Sequence, residues 1–516
     1  MSESGGVMAV VAVEPWPRRM RAATAQFLNR PAVVPLWLVE SLGFLALFLI
    51  TRSFLFGNPV VHIDEQFYLF VAERMREGAV PYVDIWDRKP IGLFLVYEAL
   101  AALPFDPIIA YQMGSAISAT LTALVISRLA REIASPAAAW QAGAAYLLFM
   151  PIFNAGMGQA PVFYNLPVAL AALVVVEALK RHEAPGLAWR GCVAMLLLGL
   201  AIQIKYTVIF EGAAFGLMLL SRGFADVWSY RKLGAVAALW IAVALLPTVA
   251  ALLWYVGIGQ TEAFVYANFV SVFERGSDGW KSYWRLTKEV AVMIPFWLVI
   301  FRAPRKFDTS GGTHPGSLRV IRVWAIAASA GFLIFGTWYD HYVSPLLVPL
   351  SVLAAPALAR VRVGERWYGR LLLGFGAIAG IAVMIYQYNQ HGSTRQYEAM
   401  NAAITQEMRD GCLFIYEGEM AFYRTTNSCL PTTRIFPNHL NTYVEAPAIG
   451  VDASAELSKV LASRPTVIIM RGKYQKLYLP NMDTRRMIKA ALARDYERYA
   501  AVPLGNKEYW LYRLRR

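Results

Sequence analysis

Along this chain the hydrophobic positions gather into long runs separated by short charged stretches. Clear examples are SLGFLALFLITRSFLF (41–56), GAVAALWIAVALLPTVAALLWYVGIG and LLLGFGAIAGIAVMIY. Runs of this length match what an α-helix needs to cross a hydrocarbon core. The pattern predicts eleven spans, at 35–56, 108–131, 136–152, 164–180, 189–204, 207–221, 233–257, 286–301, 320–337, 343–359 and 370–388. IGLFLVYEALAALPF (91–105) is short for a span, and counting it would invert the charge bias of every later loop. It reads as a segment at the outer face that dips into the bilayer.

Charge sets the orientation. Arg18, Arg19, Arg21 and Arg30, then Arg128 and Arg131, Lys180 and Arg181, Arg222, Arg231 and Lys232, Arg302, Arg305, Lys306 and Arg319, and Arg360, Arg362, Arg366 and Arg370 fall on one side. The loops on the other side carry roughly half as many lysines and arginines, the positive-inside pattern. The N-terminal tail, 1–34, is polar and basic, lacks the apolar core and cleavage site of a signal peptide, and is expected in the cytoplasm. The membrane domain is then 35–390, with its first outer loop at 57–107. Beyond it, 391–516 is expected outside as a small α/β domain: CLFIYEG, TVIIM and YWLYRL read as strands and DTRRMIKAALARDYERYA as a helix.

Composition agrees. The 516 residues are 57% hydrophobic, with a mean hydropathy of +0.42, which is too apolar for an ordinary soluble enzyme. The net charge of +14 lies in the loops beside the spans, which argues against a nucleic-acid partner. Of three cysteines, Cys192 sits in an apolar helix as a packing residue. Cys412 and Cys429 share the C-terminal domain and are disulfide candidates outside the cytoplasm. An alanine- and arginine-rich chain with a short basic tail points to a bacterial inner membrane.

With this topology, the polar residues unusual in a membrane protein collect on the outer side. The first outer loop contains HIDEQFYLFVAERMREGAVPYVDIWDRKP, with His62, Asp64, Glu65, Asp84, Asp87 and Lys89. Asn154, Gln159 and Asn165 border the second loop, Lys205 interrupts LAIQIKYTVIF, Glu274, Arg275 and Asp278 follow span seven, and Asp340, His341 and Tyr342 lie in WYDHY. Ionisable groups at membrane depth are costly and mark function. Locally, Asp64 reads as the cap of a helix ending at Gly78, with Glu65 favoured by the helix dipole, and with an apolar stripe that would lay the helix along the membrane surface.

The spaced pattern D-E-x-x-Y-x-x-x-A (from Asp64 through Tyr68 to Ala72), then G-x-x-P-Y (Gly78, Pro81, Tyr82), then Lys89-Pro90 resembles the first outer loop of lipid-phosphosugar-dependent glycosyltransferases. These are GT-C membrane enzymes that include protein O-mannosyltransferases and bacterial aminoarabinose transferases. GLAIQIKYTVIF and HYVSPLLVPLSVLAAPAL resemble later segments of the same family, so that the resemblance covers residues 35–390. It implies an all-α polytopic GT-C membrane domain followed by the extracytoplasmic α/β domain. The implied activity is transfer of one sugar, with inversion, from a polyprenyl-phosphate donor to a glycan, lipid or protein acceptor at the outer face. The implied roles are Asp64 as general base with Glu65 beside it, Lys89, Lys205, His341 and Arg275 on the donor phosphate, and Tyr68, Tyr82, Asp87, Asn165 and Tyr342 lining the site. No cofactor is demanded; the ligands of a divalent metal, if one is used, would be Asp64 and His341. The chain departs from the family at Asn165, where relatives often carry a second acid; an asparagine cannot act as a base. Two alternatives are a non-catalytic lipid-sugar-binding relative and an oligosaccharide ligase. A secondary transporter would show related halves, which this sequence lacks.

Overall fold

The computed structural model describes residues 35–180, 186–302, 315–334, 336–358, 367–408, 411–473 and 479–516. The tail 1–34 and the inner-loop residues Arg181, Arg305, Lys306, Arg360, Arg362 and Arg366 lie outside them. Every apolar run became helix. In chain order these are α1 (Leu36–Arg52), α2 (Ile63–Arg76), α3 (Ile91–Ala101), α4 (Pro107–Ala130), α5 (Pro136–Phe149), α6 (Ala160–Lys180), α7 (Leu187–Ile202), α8 (Ile209–Ala225), α9 (Tyr230–Gly257), α10 (Trp280–Val292), α11 (Ile294–Arg302), α12 (Pro315–Leu333), α13 (Leu347–Leu358) and α14 (Trp367–His391).

Among the described residues eight helical segments are long and apolar enough to cross a bilayer: those of α1, α4, α6, α8, α9, α12, α13 with the turn before it, and α14. The chain is a multi-pass membrane protein. Three of the eleven expected spans are shorter or interrupted: α5 continues into a 3₁₀ turn (Met150–Phe153), α7 has 16 residues, and the span expected at 286–301 is broken at Met293 between α10 and α11. Helix α3 has 11 residues, about 16 Å at 1.5 Å per residue, well short of a ~30 Å core.

Small residues let the helices approach closely, the usual device where lipid removes the hydrophobic drive for helix pairing. Gly199 of α7 lies against the Ala244 carbonyl of α9, and Gly191 lies beneath Trp240, whose indole donates to Ala188 O at 2.9 Å. At the end of α1, Arg52 is only 1% exposed. Its guanidinium donates to Gly156 O (2.7 Å) and Leu147 O (2.6 Å) and stacks on Phe48. A buried cation is thereby satisfied by carbonyls, and the loop from 153 to 159 is tied to α1.

After α14, helix α15 (Thr394–Met408) leads into a C-terminal domain with strands β1 (Leu413–Ile415), β2 (Val467–Arg471), β3 (Tyr496–Leu504) and β4 (Lys507–Leu514). The sheet order is β1-β2-β4-β3; β1 and β2 are parallel and the other pairs antiparallel. Helices α16 (Ala453–Ala462) and α17 (Met482–Asp495) pack on it. Cys412 and Cys429 are joined, with Cα atoms 4.9 Å apart, and Cys192 is free in α7.

The structure corrects two expectations here. The helix expected over DTRRMIKAALARDYERYA ends at Asp495, and the chain from Tyr496 onward forms β3. Helix α2 does not lie on the membrane surface: residues Glu65 to Ala72 are all buried, and the helix is clamped between the helical bundle and the C-terminal domain. Phe67 packs on Phe94 and on Phe436, Phe70 packs on Tyr423, and Arg424 pairs with Glu73 (2.6 Å). Trp86, 2% exposed, sits in the core of the C-terminal domain against His439 and donates its backbone N–H to Thr433 O. The stripe of apolar residues that would have faced lipid faces protein instead.

The bridge and the free thiol are checked by alkylation of the unfolded, unreduced protein. One cysteine is expected to react before reduction and three after; three before reduction would refute the pairing. Cys412→Ser should cost about 3 kcal/mol, the loop-closure value for a short loop, read as a lowered melting temperature.

Candidate active site

The polar ends of the helices meet at one end of the bundle, under the C-terminal domain. His62, in extended conformation, caps α2: its Nδ1 accepts the Asp64 N–H at 3.2 Å. Asp64, expected as the cap, is instead in the first turn, so its carboxylate is not occupied by the helix. That carboxylate accepts from Gln159 Nε2 at 2.8 Å, and the same nitrogen lies 3.4 Å from His62 Nδ1. Gln159 is fully buried and its Oε1 is fixed by the Ala160 N–H (3.1 Å).

The two neighbouring carboxyl groups have opposite fates. Burial pushes Asp64 up, but His62, Lys89 and His341, with the Gln159 bond, outweigh it and hold Asp64 below its ordinary value. Burial pushes Glu65, 1% exposed, up to about 8; the N–H groups of Gly158 and Gln159 and the Tyr111 hydroxyl oppose this without cancelling it, and the Asp64 charge adds to it. Asp64 is ionised at neutral pH and Glu65 is protonated.

Lys89 follows Asp87 at the end of the loop. Its ammonium stands 5.3 Å from the centroid of the buried Tyr68 ring. Burial lowers its pKa, but Tyr68, Asp87, Asp64 and Tyr342 raise it further, so it is a permanent cation. Its carbonyl accepts from the Tyr82 hydroxyl (2.7 Å), and Tyr82 adopts φ 69, a left-handed conformation rare for a bulky residue. Tyr82 therefore fixes the backbone that carries Lys89. Asp87 is buried, accepts the Arg88 N–H (2.7 Å), and is raised by that burial against Lys89 and Arg88.

Lys205 lies between α7 and the 3₁₀ turn Tyr206–Val208, with Nζ 4.1 Å from the Tyr342 ring centroid. Burial, with Lys89 and Arg275 nearby, lowers its pKa against the pull of Tyr342. Arg275 donates to Glu445 Oε1 (2.5 Å) and to the Tyr339 hydroxyl (3.3 Å), and Arg88 pairs with the other oxygen of Glu445. Burial raises the Glu445 carboxyl, but Arg275 and Arg88 bring it down to about 2. The turn Asp340–Tyr342 places His341 edge-on to Tyr342, centroids 4.7 Å apart, and Asp340 accepts from Asn154 and Lys288, both at 2.8 Å. Beside Lys205 and Tyr342 a narrow cleft opens, lined by Tyr164, Thr207, Glu211, Phe332 and Pro345.

Thus Asp64, Glu65, Tyr68, Asp87, Lys89, Lys205, Arg275, His341 and Tyr342 converge, and Tyr82 supports them from behind. Asn165 does not join them. It is buried within α6, where its Nδ2 bonds the Tyr146 hydroxyl (3.2 Å) and Ser344 O (3.4 Å). The second-loop side chain that meets Asp64 is Gln159, six residues earlier and itself a neutral amide. Sequence reasoning also passed over Arg88, Glu445 and Glu211; Glu211 carried the signal of an acid opening an apolar helix. Among the described residues no group of three or more His, Cys, Asp or Glu side chains is arranged to hold a metal ion.

A helical membrane bundle of this layout, with its polar cluster at one end and a small α/β domain seated over it, has the GT-C fold. The fold is shared with ArnT from Cupriavidus metallidurans: the structure bound to undecaprenyl phosphate matches with a TM-score of 0.59 and 15% identity over 92% of this chain and 98% of that one, and the apo structure matches with the same score and identity over 95% and 98%. A looser likeness, TM-score 0.39 at 13% identity, relates 89% of this chain to 43% of arabinosyltransferase EmbB from Mycobacterium smegmatis, and is too loose to define a common fold. No family model and no curated protein sequence matches the chain.

The raised Glu65 has a measurable consequence. The folded protein holds a proton that the unfolded chain, at the ordinary value of 4.5, releases. The contribution of this group to stability therefore falls as pH rises from about 4.5 to about 8, by at most about 1.4 kcal/mol per pH unit. Glu65→Gln should flatten that slope in melting temperatures recorded from about pH 5 to about pH 8; an unchanged slope would show Glu65 ionised throughout.

Proposed function

We propose that the protein is an integral-membrane glycosyltransferase that moves a single sugar from a polyprenyl-phosphate donor to a hydroxyl of a glycan, lipid or protein acceptor at the extracytoplasmic face of a bacterial inner membrane. One observation carries the reading: an ionised carboxylate and a cluster of buried cations face one another at one end of a GT-C bundle. The likeness to a fold seen with undecaprenyl phosphate bound in ArnT supports a lipid phosphate as the group those cations meet.

In this mechanism Asp64 takes the proton of the acceptor hydroxyl as its oxygen attacks the anomeric carbon. The carbon–oxygen bond to the lipid phosphate breaks on the opposite side, so the product is inverted. Negative charge grows on the departing polyprenyl phosphate, where Lys89, Arg275 and Lys205 supply fixed positive partners, with His341 and Tyr342 alongside. The cations are already held in place by Tyr68, Tyr82 and Glu445, so little reorganisation accompanies charge transfer. Glu65, being neutral, does not compete as a base; it fills the wall behind Asp64. Gln159 aims the carboxylate.

Asp64→Asn should lower transfer about 10²- to 10⁴-fold, the span of general-base contributions, with expression and melting temperature unchanged. The assay follows the sugar-bearing lipid that accumulates, and the glycan that disappears, in cells lacking the protein. Full transfer by the variant would refute the mechanism. Lys89→Ala and Arg275→Ala should each weaken undecaprenyl phosphate binding about tenfold or more, as expected for a charge-assisted hydrogen bond of about 1.5–3 kcal/mol; unchanged affinity would remove those residues from the phosphate site.

A further inference from the structure

Two residues after Asp64, Gln66 is gripped at both ends of its amide. Its Nε2 donates to Glu419 Oε2 at 3.0 Å, and its Oε1 accepts the Ala421 N–H at 3.0 Å. Both residues are buried, Gln66 at 3% and Glu419 at 2% exposure. Glu419 also accepts from the Tyr509 hydroxyl (3.2 Å) and Lys507 Nζ (3.4 Å), and faces His391 Nδ1 at 3.3 Å. His391 ends α14, while Lys507 and Tyr509 open β4. A carboxylate this deep is retained only if it is paired and hydrogen-bonded, and here three separate segments supply the four partners.

The geometry sets a division of labour at the start of α2. Residues two apart on a helix project to different sides, so Asp64 reaches Gln159 of the bundle while Gln66 reaches the C-terminal domain. The first turn, whose backbone N–H groups lack intrahelical acceptors, is held from both sides. We propose that Glu419 is a positioning residue of the glycosyl-transfer site: through Gln66 it fixes the first turn of α2 and hence the aim of the Asp64 carboxylate. The C-terminal domain thereby completes the site. This inference rests on the function proposed above.

The test uses the full chain in lipid nanodiscs with the sugar-bearing lipid extracted from cells lacking the protein. Gln66→Leu, close in volume but without the amide, should lower the rate constant about tenfold to a hundredfold, as misplacement of a reacting group does. KM for that lipid and affinity for undecaprenyl phosphate should stay within about threefold, because binding resides elsewhere. Glu419→Gln, which keeps a carbonyl acceptor for Gln66, should retain more activity than Glu419→Ala. The double variant Gln66→Leu with Glu419→Ala should be no slower than the slower single one, since both remove the same link. A full rate in Gln66→Leu, losses that multiply, or a rate that falls only in step with melting temperature and binding would each overturn the proposal. If Asp64→Asn itself leaves the product intact, the functional reading has failed; if it abolishes product while Gln66→Leu does not, only the positioning role has.

Discussion

Charge held away from water is the constraint to which the rest of this structure answers. In a medium of reduced dielectric a lone carboxylate gives up its charge unless cations surround it. Asp64 keeps its charge because the Lys89 ammonium lies near it and Gln159 donates to it, whereas Glu65, one residue on, turns toward Gly158 and Tyr111 and takes a proton. Adjacent acids of near-identical chemistry are thus separated into an ionised carboxylate and a neutral wall by the direction in which the helix points them. The cations are balanced in turn: Glu445 is shared between Arg88 and Arg275, and Asp87 lies beside Lys89.

This balance needs a rigid frame. The loop that carries Gln159 is fixed by Arg52 through Gly156, and by the absence of a side chain at Gly158, which lies against the rings of Tyr97 and Tyr111. The Tyr97 hydroxyl donates to the Gly158 carbonyl at 2.6 Å. A loop with no charge of its own thus presents one amide to Asp64 at a defined distance.

The sequence made the membrane domain readable because span length and loop charge are local properties. The spacing from Asp64 to Lys89 was readable for the same reason, since one continuous loop contains it. What could not be read are contacts that depend on distant segments folding back. Gln159 looked like any loop amide, and Asn165 drew attention by its residue type although α6 turns it toward Tyr146 and Ser344. The apolar stripe of α2 was correctly seen, but a stripe does not say whether lipid or protein will cover it; here Phe436 and Tyr423, more than 350 positions away, do so. His62 displaced Asp64 as cap because its extended backbone brings Nδ1 onto the Asp64 N–H, a matter of dihedral angles and not of residue preference.

The clamped position of α2 also bears on how the protein comes into being. Residues 63–76 emerge early in synthesis, yet the Gln66 amide and the Trp86 ring meet Glu419, Ala421 and His439 of the C-terminal domain, and the Glu419 network closes with Lys507 and Tyr509. Until then α2 has only part of its protein cover: Phe67 and Tyr68 rest on Phe94, while Phe436 and Tyr423 are still to come. The polar cluster around Asp64 is therefore not fully enclosed until the C-terminal domain has folded over it.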